Sequence, residues 1–291
     1  MYFLTQVLNG LGIGAIYALM ALGYSMVYGI VKLINFAHGD IIMVGSYMVF
    51  ALLSWQFPPV VAVLGSMVFC AVVGALIERF AYQRLLNKGA PRIALLITAI
   101  GVSLFLQNLY QLIYGSNTRP VPRLFELPGI YVDGMRISNT LLNIVVALLM
   151  MVVLQLLVGK TKIGKAMQAT SEDAGAAMLM GINTNRVILF TFAVGSALAA
   201  VGAVLYTNTY LQINPYMGSM LGLKAFVAAV FGGIGSIPGA MLGGFALGMA
   251  EGINNAYGNS VLTDAVVFAL LILILLVKPA GLLGKHVKEK V

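Results

Sequence analysis

The first long apolar stretch of the chain is interrupted by Asn35, His38 and Asp40, in the segment INFAHGD at residues 34–40. One histidine and one carboxylate two residues apart are too few ligands for a metal site, and no metal is expected there. Polar groups at membrane depth are costly unless they face protein or a water-filled cavity. The segment therefore predicts either a short cytoplasmic turn or, with Gly39 beside Asp40, the polar end of a broken helix lining a solute path.

A glycine-rich segment, FGGIGSIPGAMLGGF at residues 231–245, interrupts the apolar pattern a second time. Glycine and proline together break or kink a helix, and the freed backbone groups then need partners in the protein or in a cavity. The alternative is close helix packing through the small-residue spacings Gly235–Gly239 and Gly239–Gly243. Both interpretations stay open. The residues of this segment assigned to the pathway are Gly232, Gly233, Gly235 and Pro238.

A third polar stretch lies at about residues 160–186, and its composition predicts a short exposed helix over residues 172–180. Ser171 is the predicted N-cap, acids in the first turn suit the helix dipole, and Gly181 is placed to end the helix. A surface of small residues and methionine suits docking against another protein, although an amphipathic connector on the membrane is the alternative. The residues assigned to this surface are Glu172, Asp173, Ala174, Ala177, Met178 and Gly181.

Nothing in the chain predicts catalysis or a cofactor. Gly159-Lys160-Thr161 resembles the end of a phosphate-binding loop, but Leu154 stands where the first glycine is required. The apolar runs are also expected to lack the acids and bases that proton-coupled carriers use at mid-depth. We therefore expect no enzyme and no ATP hydrolysis by this chain, so that active transport would draw its energy from partner subunits.

The elements that hold these three segments are apolar membrane helices. Hydrophobic residues make up 60% of the 291 and charged residues only 9%, whereas soluble domains carry about 25% charged residues. Spans of about 20 apolar residues are predicted at residues 7–31, 41–57, 60–77, 93–114, 140–158, 187–206 and 261–277. Residues 219–250 add one or two short or re-entrant helices. The prediction is an all-α polytopic bundle of eight or nine membrane segments, with residues 1–291 as one domain.

The distribution of Lys and Arg predicts the orientation. Basic residues follow the third and fifth predicted spans and recur in the tail, at Lys278, Lys285, Lys288 and Lys290, which also holds His286. The positive-inside rule places these regions in the cytoplasm. Residues 115–139, where Glu126 and Asp133 offset three arginines, are then external, and the N-terminus is periplasmic. The net charge of +8 follows from this bias, and no basic surface with interleaved aromatics predicts nucleic-acid binding.

The three segments resemble a known family. INFAHGDIIMVGS at residues 34–46, INPY at 213–216 and LKAFVAAVFGGIGSIPGA at 223–240 resemble the signatures of branched-chain amino-acid permeases of the ABC superfamily. Residues 164–185 resemble that family's coupling segment, which contacts the ATPase. The resemblance extends from Leu8 to about Gly284 and is nearest to the shorter permease subunit.

The resemblance implies a pore-forming subunit of an ATP-driven importer in a bacterial inner membrane, passing leucine, isoleucine or valine. It also implies partners: a second related permease, two cytoplasmic ATPases and a periplasmic amino-acid binding protein. Permeases for urea and short amides share similar signatures, and a stand-alone passive channel for small neutral solutes fits the scarcity of charge equally well. Both alternatives stay open at this point.

Overall fold

The apolar runs all form helices, because only helices satisfy every backbone hydrogen bond within a single membrane segment. The computed structural model describes residues 2–32, 34–125, 128–132 and 135–284. Glu126, Asp133 and the tail residues Lys285, His286, Lys288 and Lys290 lie outside the described residues.

Twelve α-helices are present in the described part of the chain. They are α1 (Tyr2–Val31), α2 (Ala37–Ser54), α3 (Pro59–Ile77), α4 (Gln83–Asn87), α5 (Arg92–Tyr114), α6 (Ser138–Lys160), α7 (Lys162–Glu172), α8 (Ala174–Leu179), α9 (Thr184–Tyr210), α10 (Met217–Gly232), α11 (Ile237–Tyr257) and α12 (Thr263–Val277). A π-helical turn, Glu78–Tyr82, joins α3 to α4, and a short 3-10 turn, Ser260–Leu262, precedes α12.

The predicted polytopic bundle is confirmed. Seven helices are long and apolar enough to cross a membrane, and they include α2, whose crossing the sequence alone left open. The helices α10 and α11 pass the same test as a pair, with a bend of 119° at the break between them. Counting that pair as one or two segments gives the eight or nine that the sequence predicts.

Four short strands lie between the helices of the described residues. Arg119–Pro120 (β1) pairs antiparallel with Gln212–Ile213 (β4), and Tyr131–Val132 (β2) pairs with Met135–Arg136 (β3). The first pair ties the loop after α5 to the loop after α9. These strands are too short to change the all-α class.

The helix α1 is the centre of the bundle. In its most apolar stretch 89% of the residues are buried, compared with 11% for the last span, so α1 is enclosed by protein and α12 is peripheral. It packs against α6, α9, α10 and, most extensively, α11.

Close approach of α1 and α11 depends on two rows of small residues. Gly10 and Gly14 repeat at a spacing of four on α1, and Gly244, Gly248 and Gly252 repeat at the same spacing on α11. A methyl group at any of these glycines would overlap backbone atoms of the facing helix. Small-residue rows of this kind allow backbone-to-backbone packing in lipid, where dispersion contacts rather than the hydrophobic effect hold helices together.

Candidate substrate pathway and connector

The chain turns sharply between α1 and α2, and the polar segment folds into the bundle. Lys32 has a left-handed backbone (φ 56°) just after the end of α1, and the amide of His38 donates to the carbonyl of Asn35 at 3.1 Å. Asn35, His38 and Asp40 are all at most 2% exposed. The segment is therefore not a solvated surface turn, and its place along a solute path stays a prediction.

His38 and Asp40 lie on nearly opposite faces of α2, because two residues correspond to about 200° of helical rotation. The His38 ring contacts the backbone of Gly23 and meets the Tyr24 ring edge-on, with ring centroids 4.6 Å apart. Gly23 precedes the end of α1 by eight residues, or about 12 Å along the helix. The start of α2 therefore lies beside the interior of α1 rather than beyond its end.

Asn35 is held by the π-helical turn. The hydroxyl of Tyr82, the last residue of that turn, donates to Asn35 Oδ1 at 2.8 Å, and both side chains are buried. A π-helical turn rotates the following side chains relative to a regular helix, and such turns are frequent at functional sites.

Asp40 faces α5 and the start of α10 through Gln107. Gln107 Nε2 lies 2.9 Å from Asp40 Oδ1, 2.8 Å from Ser219 Oγ and 3.1 Å from Ser103 Oγ. Gln107 is half-buried and Ser219 is exposed, so the cluster extends from the interior to the protein surface.

The sequence analysis missed this part of the site. The signal was a polar row on α5, since Ser103, Gln107 and Gln111 repeat at a spacing of four within an apolar run. Residues at that spacing share one helix face, so the row marks a polar face on a membrane helix.

The cluster around α2 has unsatisfied polar atoms. Asp40 Oδ2, His38 Nε2 and Tyr24 OH are buried without a hydrogen-bond partner among the described residues. In the same part of the chain no Lys, Arg or His forms an ion pair with Asp40. A buried carboxylate with only neutral neighbours is costly, which is typical of a functional position in a membrane protein.

The glycine-rich segment lies at the other end of α10, about 20 Å along the helix from Ser219. Gly233 and Gly235 have left-handed backbones (φ 106° and 90°), and Gly235 N donates to Ser25 Oγ of α1 at 2.9 Å. Ser236 caps α11 by accepting from Gly239 N at 3.2 Å, with Pro238 in the first turn. The predicted break is therefore present.

The same segment also packs closely. Gly232 and Gly239 face each other with no room for a methyl group, and Gly243 meets the carbonyl of Ala228. Residues just after α12 complete the turn, because the amides of Leu282 and Leu283 donate to the carbonyls of Phe231 and Gly232 at 2.9 and 2.8 Å. The glycine-rich segment is therefore both a break between two helices and a place of close helix packing.

A small aromatic cleft lies between the two interruptions, with an empty volume of about 190 Å³ that includes open solvent. Ile34 comes from the first interruption and Ile234 from the second, and the other lining residues are Tyr24, Tyr28, Phe226 and Ala229. The cleft places apolar surface between the two breaks.

The connector between α6 and α9, at about residues 160–186, forms two helices where one was predicted. The helix α7 continues to Glu172, and α8 begins only at Ala174. The predicted cap at Ser171 is wrong: the Ser171 hydroxyl donates back to the carbonyl of Gln168, and Asp173 Oδ1 instead accepts from the amides of Gly175 and Ala176 at 2.8 and 3.0 Å. Asp173 is the N-cap of α8 because Ser171 lies in the last turn of α7.

Gly181 ends α8 as predicted. Its φ is 82°, and the amides of Gly181 and Ile182 donate to the carbonyls of Met178 and Ala177, the two bonds of a Schellman motif. Ala177 is buried, whereas Glu172, Asp173, Ala174 and Met178 are exposed. The most exposed apolar side chains of the connector are Leu179 and Met180, at 90% and 83%.

One expectation about charge is wrong. Lys224 of α10 and Glu251 of α11 form a buried ion pair, with Nζ and Oε1 2.9 Å apart, and Asp264 of α12 lies 2.9 Å from the same Nζ. The spans therefore do hold an acid and a base in the protein interior. Neither the Lys224–Asp264 contact nor the role of Glu251 was predicted from the sequence.

This geometry defines a class of protein: a multi-pass membrane protein with a buried polar break and an exposed connector between two membrane helices. Comparison with known proteins gives the family. Residues 6–275 match the family described as branched-chain amino acid transport system / permease component. The chain belongs to this family, and it is a membrane subunit of a transport system rather than an enzyme.

Curated relatives agree with the family over the whole chain. The high-affinity branched-chain amino acid transport system permease protein LivH of Salmonella typhimurium is 44% identical, covering 100% of this chain and 98% of the relative. The corresponding protein BraD of Pseudomonas aeruginosa has the same identity and coverage. A probable LivH from Methanocaldococcus jannaschii is 30% identical over 93% of this chain. No solved structure matches the chain.

Proposed function

We propose that this chain is the pore-forming permease subunit of an ATP-driven importer of leucine, isoleucine and valine. The observation that carries the proposal is the 44% identity over the full length to LivH and BraD, whose names state branched-chain amino-acid transport. The scarcity of charged groups along the helices suits a neutral zwitterion with an aliphatic side chain better than a charged solute.

The proposed pathway runs along α2 and α10. Its residues are Asn35, His38, Gly39, Asp40, Gly232, Gly233, Gly235 and Pro238. We add Gln107, which bonds to Asp40, and Ser219, which bonds to Gln107. The polar cluster and the glycine-rich turn lie at opposite ends of α10, with the aromatic cleft between them. Broken helices near the membrane midplane commonly flank the solute site of a transporter, which supports this assignment.

The proposed coupling surface is the cytoplasmic connector, in which α8 docks on a separate ATPase subunit. Leu179 and Met180 are almost fully exposed although they are apolar, and exposed apolar residues at the end of a short capped helix are suited to a groove on a partner. Glu172, Asp173, Ala174 and Met178 lie on the exposed connector beside them, while Ala177 and Gly181 fix the form of α8.

The complex we propose has two related permeases, two ATPases and a periplasmic binding protein that delivers the amino acid. It lies in a bacterial inner membrane with the N-terminus in the periplasm and the C-terminus in the cytoplasm. This orientation follows the positive-inside rule and puts the connector on the side of the ATPases.

Reconstituted transport tests the proposal. The complex is placed in proteoliposomes with ATP inside and the binding protein outside, and uptake of radiolabelled leucine, isoleucine, valine and urea is measured. We expect ATP-dependent uptake of the three amino acids and none of urea, with vesicles lacking this chain as the control. Uptake of urea but not leucine would reassign the substrate, and uptake independent of ATP would make the chain a passive channel.

A further inference from the structure

The hydrogen bonds of Gln107 determine which way its amide points. Asp40 Oδ1 can only accept, so the group 2.9 Å from it is the Gln107 nitrogen, which is also within 3.1 Å of the hydroxyls of Ser103 and Ser219. The amide nitrogen is therefore fully used. The carbonyl oxygen Oε1 of Gln107 has no hydrogen-bond partner among the described residues.

The surface around Gln107 is partly polar and partly apolar. Gln107 is half-buried and Ser219 is exposed, and the neighbouring Leu104 and Met220 are 54% and 44% exposed. Polar side chains on a membrane helix normally face protein or water rather than lipid. This part of α5 and α10 therefore faces a cavity or a partner subunit, with apolar surface on either side of a hydrogen-bond acceptor.

The carboxylate beside Gln107 has no cationic partner among the described residues. Asp40 is 1% exposed, its Oδ2 has no partner, and no cationic side chain is ion-paired with it in the described residues. A carboxylate in this position favours a cation nearby, and electrostatic attraction is stronger at low dielectric than in water.

We propose that Gln107 Oε1, oriented and polarised by Asp40, accepts a hydrogen bond from the α-ammonium group of an aliphatic amino acid in transit, with Leu104 and Met220 against its side chain. This inference rests on the proposed function and assigns the part of the substrate that the cluster binds. Gln107 contacts the substrate, and Asp40 is a positioning residue that acts through Gln107 and through its charge.

The first test measures ATP-driven leucine uptake by complexes carrying Asp40→Asn, Gln107→Met or Asn108→Leu. Asn108 is the matched control, because it is polar, exposed and adjacent, and among the described residues its side chain bonds to the carbonyl of Leu104 in its own helix. We expect the maximal rate to fall about tenfold or more in the first two variants, as for loss of a charge-assisted hydrogen bond. The binding-protein concentration at half-maximal uptake stays unchanged.

The second test separates recognition from a structural role. Binding of radiolabelled leucine to the purified complex without binding protein is competed with leucinol, which keeps the ammonium, or with 4-methylpentanoate, which lacks it. We expect leucinol alone to compete in the wild type and to lose that effect in Asp40→Asn. If Asp40→Asn does not assemble, Gln107→Met decides, since its side chain is only half-buried.

Two results overturn the inference without touching the proposed function: equal competition by 4-methylpentanoate, or wild-type leucine uptake in Gln107→Met. Failure of the wild-type complex to transport leucine would instead overturn the proposed function itself.

Discussion

Lys224 Nζ lies 2.9 Å from Glu251 Oε1, and this ion pair joins α10 to α11 where both side chains are 10% exposed. Asp264 adds a third helix to the cluster from the half-exposed side, and Tyr17 OH of α1 lies 3.5 Å from the same Nζ. The single cation thus holds the bent pair of helices to α12 and to the central helix.

Removal of the cation should destabilise the protein strongly. Lys224→Met leaves the Glu251 carboxylate buried without a partner, and we expect a loss of about 3–5 kcal/mol in the free energy of unfolding. The double variant Lys224→Met/Glu251→Gln should lose less than the single variant, because it also removes the buried charge. Unfolding in detergent measures both, with Lys88→Met at an exposed position as the control. A double variant as unstable as the sum of its single changes would contradict this account.

Gly39→Ala should separate α2 from α10. A methyl group at Gly39 would overlap the backbone of Gly218 and Gly222, which are fixed within α10. We expect a loss of about 1–3 kcal/mol, as for overpacking in other well-packed interiors. Gly101→Ala is the control, because nothing lies within 4 Å of the added methyl group and alanine favours a helix. Equal thermal stability of the two variants would show that α2 and α10 can move apart at little energetic cost.

Asp173→Ala should loosen α8 without unfolding the membrane helices. The variant loses the two hydrogen bonds from the amides of Gly175 and Ala176, at a cost of about 1 kcal/mol for a helix cap. Hydrogen exchange should then rise in α8 alone. Ser171→Ala is the matched control, since Ser171 bonds back within α7. Faster exchange in the control than in Asp173→Ala would show that Ser171 is the cap, as the sequence predicted.

Leu179→Ser and Met180→Ser should weaken attachment of the ATPase. If these exposed side chains fill a groove on that subunit, each truncation should cost roughly tenfold in affinity. The amount of ATPase that co-purifies with the permease measures the effect. Ile163→Ser, at a 37% exposed position on α7, should leave co-purification unchanged. Normal recovery of the ATPase with both serine variants would remove the coupling assignment.

The sequence predicted the spans well because lipid allows few alternatives. Each apolar run of sufficient length became a helix, and the errors are at the ends: α2 begins at Ala37 rather than at residue 41, since the polar segment is itself helical from there. The breaks between the helices were predictable as well, because basic loops and helix-breaking glycines interrupt an apolar membrane helix.

The side-chain pairs of the site could not be predicted in the same way. Lys224 and Glu251, or Asp40 and Gln107, are far apart in the sequence, and only the packing of the helices brings them together. The starting residue of α8 was harder still to predict, because Ser171 and Asp173 are both good caps. The choice between them depends on how far α7 continues.

The enclosure of α1 has a consequence for biosynthesis. It leaves the ribosome well before its main partner α11, which follows after some 200 residues, or roughly 10–40 s at ordinary translation rates. During that interval its row of glycines faces lipid or components of the insertion machinery. Docking of α11 on α1 is therefore a late step in which an early helix is retained until its partner is made.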